Sequence, residues 1–248
     1  MTRGPSHSAD GRKRLARRGL GLALLLLAGC ASHKPAVPPP KPAPSAPPPV
    51  AIAFAPRANH WTTQWTSLFD GKTLTHWAVT DFAGHGEVTV ESGYIKIGMG
   101  AELSGITWTN GTLPKTDYEI VLDSIKLDGS DFFCGLTFPV GDSSCSLILG
   151  GWGGGLVGLS SLDDQDASEN ETTKSLSFDT GHWYHVLLRV TPARIEAWLD
   201  ERKIIDVSII GRKVSLRPGS IYLCEPLGVA TYTTAAGVKN FQLRLIEP

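Results

Sequence analysis

The chain has almost no net charge, −1 at pH 7, with 23 Lys and Arg against 24 Asp and Glu over 248 residues. That balance excludes bulk attraction to nucleic acid, and no surface of interleaved aromatic and basic residues is recognisable. Cysteine is scarce, four in all, and no pair has zinc-knuckle spacing. The apolar run Leu20–Ala28 is too short to remain in a bilayer as a spanning helix, which needs about 20 residues. Internal repeats are missing, which argues against a propeller. No stretch keeps a 3.6-residue apolar stripe long enough for a substantial helix.

What is present begins with a sorting signal. Arg12, Lys13, Arg14, Arg17 and Arg18 precede the short apolar run, which closes in Leu27-Ala28-Gly29-Cys30. A basic flank, a brief apolar core and small residues at a cut site mark a removable export signal. The Leu-Ala-Gly-Cys ending resembles the lipobox of bacterial lipoproteins. It implies cleavage after residue 29 and lipid attachment at Cys30, hence a membrane partner through that lipid. Ala31, not an acidic residue, follows the anchor, and in such lipoproteins this goes with outer-membrane sorting. Nine prolines then fall between Pro35 and Pro49. Their fixed φ and missing N–H groups rule out helix or sheet there. The expected result is an extended spacer of roughly 45 Å. The expected organisation is therefore a signal over 1–29, an anchored linker over 30–60 and one domain over 61–248.

Within that domain, strand-like segments recur with turn chemistry between them. They are expected over Val88–Ile97, Tyr118–Leu127, Phe132–Phe138, Cys145–Leu149, Trp183–Val190, Arg194–Leu199, Ser220–Cys224 and Phe241–Ile246. Apolar residues alternate in three of them: Val186, Leu188 and Val190; Ile195, Ala197 and Leu199; Phe241, Leu243 and Leu245. Turns are marked by Asp70-Gly71, Glu91-Ser92-Gly93, Asp128-Gly129, Val140-Gly141-Asp142 and Arg217-Pro218-Gly219. Many strands without helical crossovers predict an all-β fold, a concanavalin-like jelly-roll sandwich of two antiparallel sheets. Cys134 and Cys145 would close a hairpin loop if bridged, but with Cys224 they read better as three buried small hydrophobes.

Several residues stand out as chemistry-bearing. Trp152 rises from Gly150-Gly151-Trp152-Gly153-Gly154-Gly155, where glycine permits close approach and an indole can hold a sugar face. No lysine and helix follow, so this is no phosphate loop. Trp77, Trp108 and Trp183 are further stacking candidates, set against ordinary core roles. Asp163, Asp164, Asp166 and Glu169 crowd one segment, a set of hard oxygen ligands that suits calcium, although EF-hand spacing is absent. Catalytic carboxylates or a plain solvated loop are the other readings of that segment. Glu119 and Asp123 share a strand face but lie roughly 13 Å apart, too far for a retaining or inverting glycosidase pair. His85, His182 and His185 are candidate bases. Arg189 has the parity opposite Leu188 and is a candidate for fixing an oxyanion or a hydroxyl.

The stretch Trp65-Thr66-Ser67-Leu68-Phe69-Asp70-Gly71-Lys72-Thr73-Leu74-Thr75-His76-Trp77 resembles the opening signature of the 3-keto-disaccharide hydrolase domain family. Tyr118-Glu119, Gly181-His182-Trp183-Tyr184, the segment Arg194 to Asp200, and Val238-Lys239-Asn240-Phe241 extend the similarity to about Ile246. Typical members also carry an arginine-bearing strand and a Tyr-Glu pair, which this chain replaces with Gly129 to Phe138 and Cys145 to Trp152. The resemblance implies a concanavalin-like fold and action on glycosides of 3-keto sugars, an oxidised disaccharide among them. A keto group acidifies the C2 proton, so a base can drive loss of the C1 substituent. On that reading His85 or Glu119 serves as base, and Arg189 or a metal on the acidic segment steadies the enolate. Trp152, Trp77, Trp183 and His182 contact the sugar. The alternative is a non-catalytic glycan-binding envelope lipoprotein.

Overall fold

The computed structural model describes residues 61–247, so the signal segment, Cys30 and the proline spacer lie outside the described residues. Fifteen strands follow one another among the described residues. The first five are β1 (Thr66–Ser67), β2 (Trp77–Val79), β3 (Val88–Glu91), β4 (Tyr94–Ile97) and β5 (Leu103–Trp108). Then come β6 (Tyr118–Gly129), β7 (Cys134–Val140), β8 (Ser143–Gly150), β9 (Leu156–Ser160) and β10 (Lys174–Ser175). The last are β11 (Trp183–Val190), β12 (Arg194–Leu199), β13 (Arg202–Ser208), β14 (Gly228–Tyr232) and β15 (Thr234–Leu245).

They form two antiparallel sheets. One has the order β13-β12-β11-β6-β15-β4-β3, with β1 also on β15; the other runs β10-β9-β8-β7-β14-β5-β2. This is the expected all-β sandwich. Alternation decides which face of each sheet turns inward. Ile120 and Leu122 of β6, Val186 and Leu188 of β11, and Phe241 and Leu243 of β15 are buried against Leu136, Leu147 and Leu159 of the opposite sheet. Each such side chain stabilises the fold by about 1.5–3 kcal/mol.

Two expected segments need correction. Val88–Ile97 is a hairpin, broken at Ser92 and Gly93, whose φ values of 50° and 83° make the left-handed two-residue turn that hairpins favour. Ser220–Cys224 is a 3₁₀ helix, not a strand. Its three-residue period sets Ile221 and Cys224 on one side, where they pack with Phe82 and Ala230 over the outside of the second sheet.

The thiols are the small hydrophobes that the sequence suggested. Cys134, Cys145 and Cys224 are free and buried. Cys134 lies opposite Leu149 and Cys145 opposite Phe138, four ladder positions away. That is roughly 13 Å, well beyond disulfide reach. Burial pushes all three thiols up to about 12. In a Cys30→Ser chain, a thiol-specific chromogenic reagent should therefore titrate nothing in the native state and all three of these thiols once denaturant is added. A native-state reaction at neutral pH would contradict this packing.

Candidate functional site

The outer faces of the two sheets differ in kind. On the first, register draws charges into rows. Glu119 of β6 lies opposite Arg189 of β11 and Arg244 of β15. Arg189 in turn faces Glu196, and Glu196 faces Asp206. The Glu119 carboxylate is only 1% exposed. It accepts from Arg189 Nε at 2.8 Å on one oxygen, and on the other from Arg244 Nε at 2.8 Å. Trp65 lies beneath Arg244, and Trp198 sits between Arg189 and Lys203. Four residues further along β6, Asp123 accepts from Asn240 Nδ2 at 2.6 Å and pairs with His185 Nδ1 at 2.7 Å. Burial raises the Asp123 carboxyl, but the bonds from His185 and Asn240 outweigh it and hold the group below its usual value. The bond to Asp123 raises His185 in return.

This face is fastened across its strands, and its groups are occupied by one another. Glu119 and Arg189, expected at a catalytic centre, are here partners in that fastening. Trp183 shares the face and lies under Lys239, 3.9 Å from the ring centroid. His182 is exposed at the start of β11, edge-on to Tyr184. His85 is exposed in the loop before β3, with Nδ1 2.9 Å from the Gly86 carbonyl oxygen. Trp77 corrects the expectation of a stacking residue. It is 5% exposed, packs on Trp108 and Phe241, and donates Nε1–H to the Leu68 carbonyl. Trp108 is buried as well.

The second sheet turns Ser146 and Ile148 of β8 and Ser160 of β9 outward. A hollow of about 410 Å³ lies above the strands, within the usual range for a small-ligand site. Glu102, Asp131, Ser146, Trp152, Arg217 and Tyr232 line it. None of His85, Glu119, Arg189, His182 or Trp183 does. Trp152 is 44% exposed and stands in a turn that no right-handed backbone could make, with φ 48° at Trp152 itself and 88° at Gly153. Asp131 braces this turn: one carboxylate oxygen accepts from the Gly153 amide at 3.0 Å, the other from the Phe132 amide at 2.8 Å. Arg217 lies 5.4 Å from the Trp152 ring centroid and pairs with Asp166 at 2.6 Å. Asp166 also accepts from Ser160 Oγ at 2.7 Å. Glu102, an exposed residue, lines the same hollow and takes part in no ion pair among the described residues.

The acidic segment faces cations of its own chain. Asp163 accepts from Arg212 Nε and the Lys213 amide, and Asp164 from Lys213 Nζ. Asp166 belongs to Arg217, while Glu169 reaches back toward the Asp166 amide. Among the described residues no three His, Cys, Asp or Glu side chains converge as a metal-holding group. The sequence reading thus found Trp152 and passed over its partners. Arg217 read only as turn chemistry before Pro218-Gly219, and Asp131 and Glu102 carried no local signal.

A model of the 3-keto-α-glucoside-1,2-lyase-like domain matches residues 64–244. The chain belongs to that family. No curated protein matches it. Among solved structures, the Crh5 transglycosylase in its apo form is similar at a TM-score of 0.53 and 10% identity, over 79% of this chain and 90% of that one. A candidate glycosyl hydrolase from Parabacteroides distasonis ATCC 8503 is 14% identical over 74% of this chain and 94% of its own, at a TM-score of 0.47. The carbohydrate-binding module CBM66 from Bacillus subtilis is 15% identical over 68% and 95%, also at 0.47. At such identities the likeness is one of fold.

Two outcomes follow for the charged face. Glu119→Gln should cost about 2 kcal/mol in denaturant unfolding, because two arginines lose a buried charged acceptor. The His185–Asp123 pair stabilises most where both are ionised. Its contribution is full below the ordinary histidine value of 6.5, fades as pH rises through the raised value in the folded state, and is lost again as pH falls through the lowered Asp123 value. Thermal melts of wild type and His185→Gln should converge above that upper range and separate between about pH 5 and 6.5. Parallel curves at all pH would show that the pair does not couple to folding.

Proposed function

We propose that the hollow beneath Trp152 is the carbohydrate site of an enzyme that cleaves glycosides of 3-keto sugars, by elimination or by elimination followed by hydration. The observation that carries this reading is an exposed indole over a hollow that is also lined by a carboxylate with no ion-pair partner among the described residues. Trp152 offers a flat apolar face to the C–H side of a pyranose. Ser146 and Ser160 lie beneath it, and Tyr232 supplies a hydroxyl at its edge. Family membership supports that substrate class.

In this reading Glu102 is the general base. A C3 ketone makes the C2 proton acidic, and the carboxylate removes it. The electron pair moves into the C2–C3 enolate, whose negative charge Arg217 steadies. As the enolate collapses, a C1–C2 double bond forms, the C1–O bond breaks, and the departing alkoxide takes a proton from Tyr232 or water. Adding water across the new double bond completes a net hydrolysis. Asp131 keeps Trp152 in place by holding its turn. The clamp of Glu119 and Arg189 stiffens the opposite sheet. We further propose export and lipid anchoring at Cys30, which puts this chemistry in the cell envelope, at the outer membrane. The basic-apolar-Cys pattern and the proline spacer support that part.

Purified protein incubated with 3-keto-glucosides should release the aglycone. Glu102→Gln should lower kcat by a factor on the order of 10² or more. Trp152→Ala should raise KM by about tenfold while sparing much of kcat. Saturable binding of these sugars with no turnover at any pH would instead favour the glycan-binding module. An unchanged rate in Glu102→Gln would remove that residue from the base role.

A further inference from the structure

A small apolar cluster lies outside the second sheet, apart from the main core. Phe82, Cys224 and Ala230 are buried in it, while Leu103, Phe132, Ile221 and Leu223 are only partly covered. Register brings several of these together. Tyr232 of β14 lies opposite Leu103 of β5, and its amide donates to the Phe132 carbonyl at 3.0 Å. The Phe132 and Tyr232 ring centroids are 6.0 Å apart. Phe132 also lies close over β7, where a side-chain carbon at Gly135 would come within 3.0 Å of the ring. A glycine inside a strand often marks such an approach. Leu103, Phe132, Ile221 and Tyr232, all half-buried, line the hollow.

The hollow therefore has two ends of different kind. Over β8 and β9 stand Ser160, Asp166 and Arg217, with Trp152 in the turn between those strands. Over β14 and β5 the walls are the hydrocarbon and ring faces of Leu103, Phe132, Ile221 and Tyr232. From β9 to β5 is four strand spacings, roughly 19 Å, longer than one hexose ring. Glu102 directly precedes Leu103, and its carbonyl accepts from the Thr233 amide, next to Tyr232. The carboxylate and the phenol assigned to the reacting bonds thus belong to the apolar end. Whatever leaves C1 departs among those side chains.

We infer that the C1 substituent of the substrate is apolar, an alkyl or aryl group seated among Leu103, Phe132, Ile221 and Tyr232. This rests on reading the hollow as a sugar site and deepens it by naming the class of aglycone. A second sugar at that end would set hydroxyls against hydrocarbon, with Ser220 beside Ile221 as one added hydroxyl partner, and hydroxyls left unpaired there would cost binding. An apolar group instead completes the half-covered cluster and removes its exposed area from water.

Stopped-flow tryptophan fluorescence gives dissociation constants before turnover. The probes are methyl and hexyl 3-keto-α-glucosides, an ether glycoside with the hexyl chain's length but oxygens in place of some methylenes, and 3-keto-trehalose. The hexyl glycoside should bind roughly tenfold tighter or more than the methyl and ether glycosides. The disaccharide should bind no tighter than the methyl glycoside. Ile221→Ser should erase most of the hexyl advantage and leave the methyl affinity unchanged. Tyr222→Ser, at a 59% exposed neighbour on the same 3₁₀ helix, should alter neither. Equal affinities for the hexyl and ether chains in wild type would overturn the inference without recourse to any variant, as would tighter binding of the disaccharide than of the hexyl glycoside. An Ile221→Ser chain that keeps the hexyl preference, or weakens methyl and hexyl glycosides alike, would overturn it too. Failure of all four probes to bind would overturn the sugar site itself, a result distinct from loss of the chain preference alone.

Discussion

Burial of the two facing inner surfaces is the constraint on which everything else in this domain hangs. Once alternate residues of β6, β11, β12 and β15 are committed to the interior, the side chains between them have no freedom of face. Glu119 must point outward because Ile120 and Leu122 point inward, and the ladder then decides that Arg189 and Arg244 flank it. The same commitment of Leu147 and Leu149 turns Ser146 and Ile148 toward the hollow. Site and scaffold are consequences of one parity.

The two outer surfaces answer that constraint differently. The first is covered by its own long charged side chains, which reach across strands and satisfy one another, with tryptophans lying under the cations. Such a face gains rigidity and leaves little free polar capacity for a ligand. The second is covered by neighbouring segments: Phe82 and the 3₁₀ helix at one end, and the acidic segment with its Arg212 and Lys213 partners at the other. Between those covers, the outward Ser146, Ile148 and Ser160 are left beneath the hollow.

Strands with strong alternation were legible in the sequence down to their ends. Trp183–Val190 and Arg194–Leu199 have the bounds that the pattern indicated. Leu103–Trp108 and Gly228–Tyr232 were not among the expected strands because glycine interrupts their pattern. Those glycines have a reason that only the fold reveals: an added carbon at Gly105 would stand 2.7 Å from the Val229 carbonyl oxygen, and one at Gly228 would stand 2.6 Å from that of Ile106. They let β5 and β14 approach. The site was legible in part for a similar reason. An indole among glycines announces itself locally, whereas Arg217, Asp131 and Glu102 acquire meaning only through contacts spanning tens of residues. Charge density drew attention to Asp163 and Asp164, yet their partners Arg212 and Lys213 lie about fifty positions away. Glu119 and Arg189 were legible as polar residues of one sheet, but not as each other's ligands.

The margins of the two sheets carry one more consequence. β10 and β2, which end the second sheet, have two and three residues, and β3, which ends one side of the first, has four. Among the described residues only β13 forms a longer end strand, and Arg202, Lys203 and Asp206 stud it. Short or charged borders offer a poor seam for adding a strand from another molecule. Edge-to-edge stacking of copies is thereby disfavoured, and losing the charges of β13 would bare the longest sheet border among the described residues.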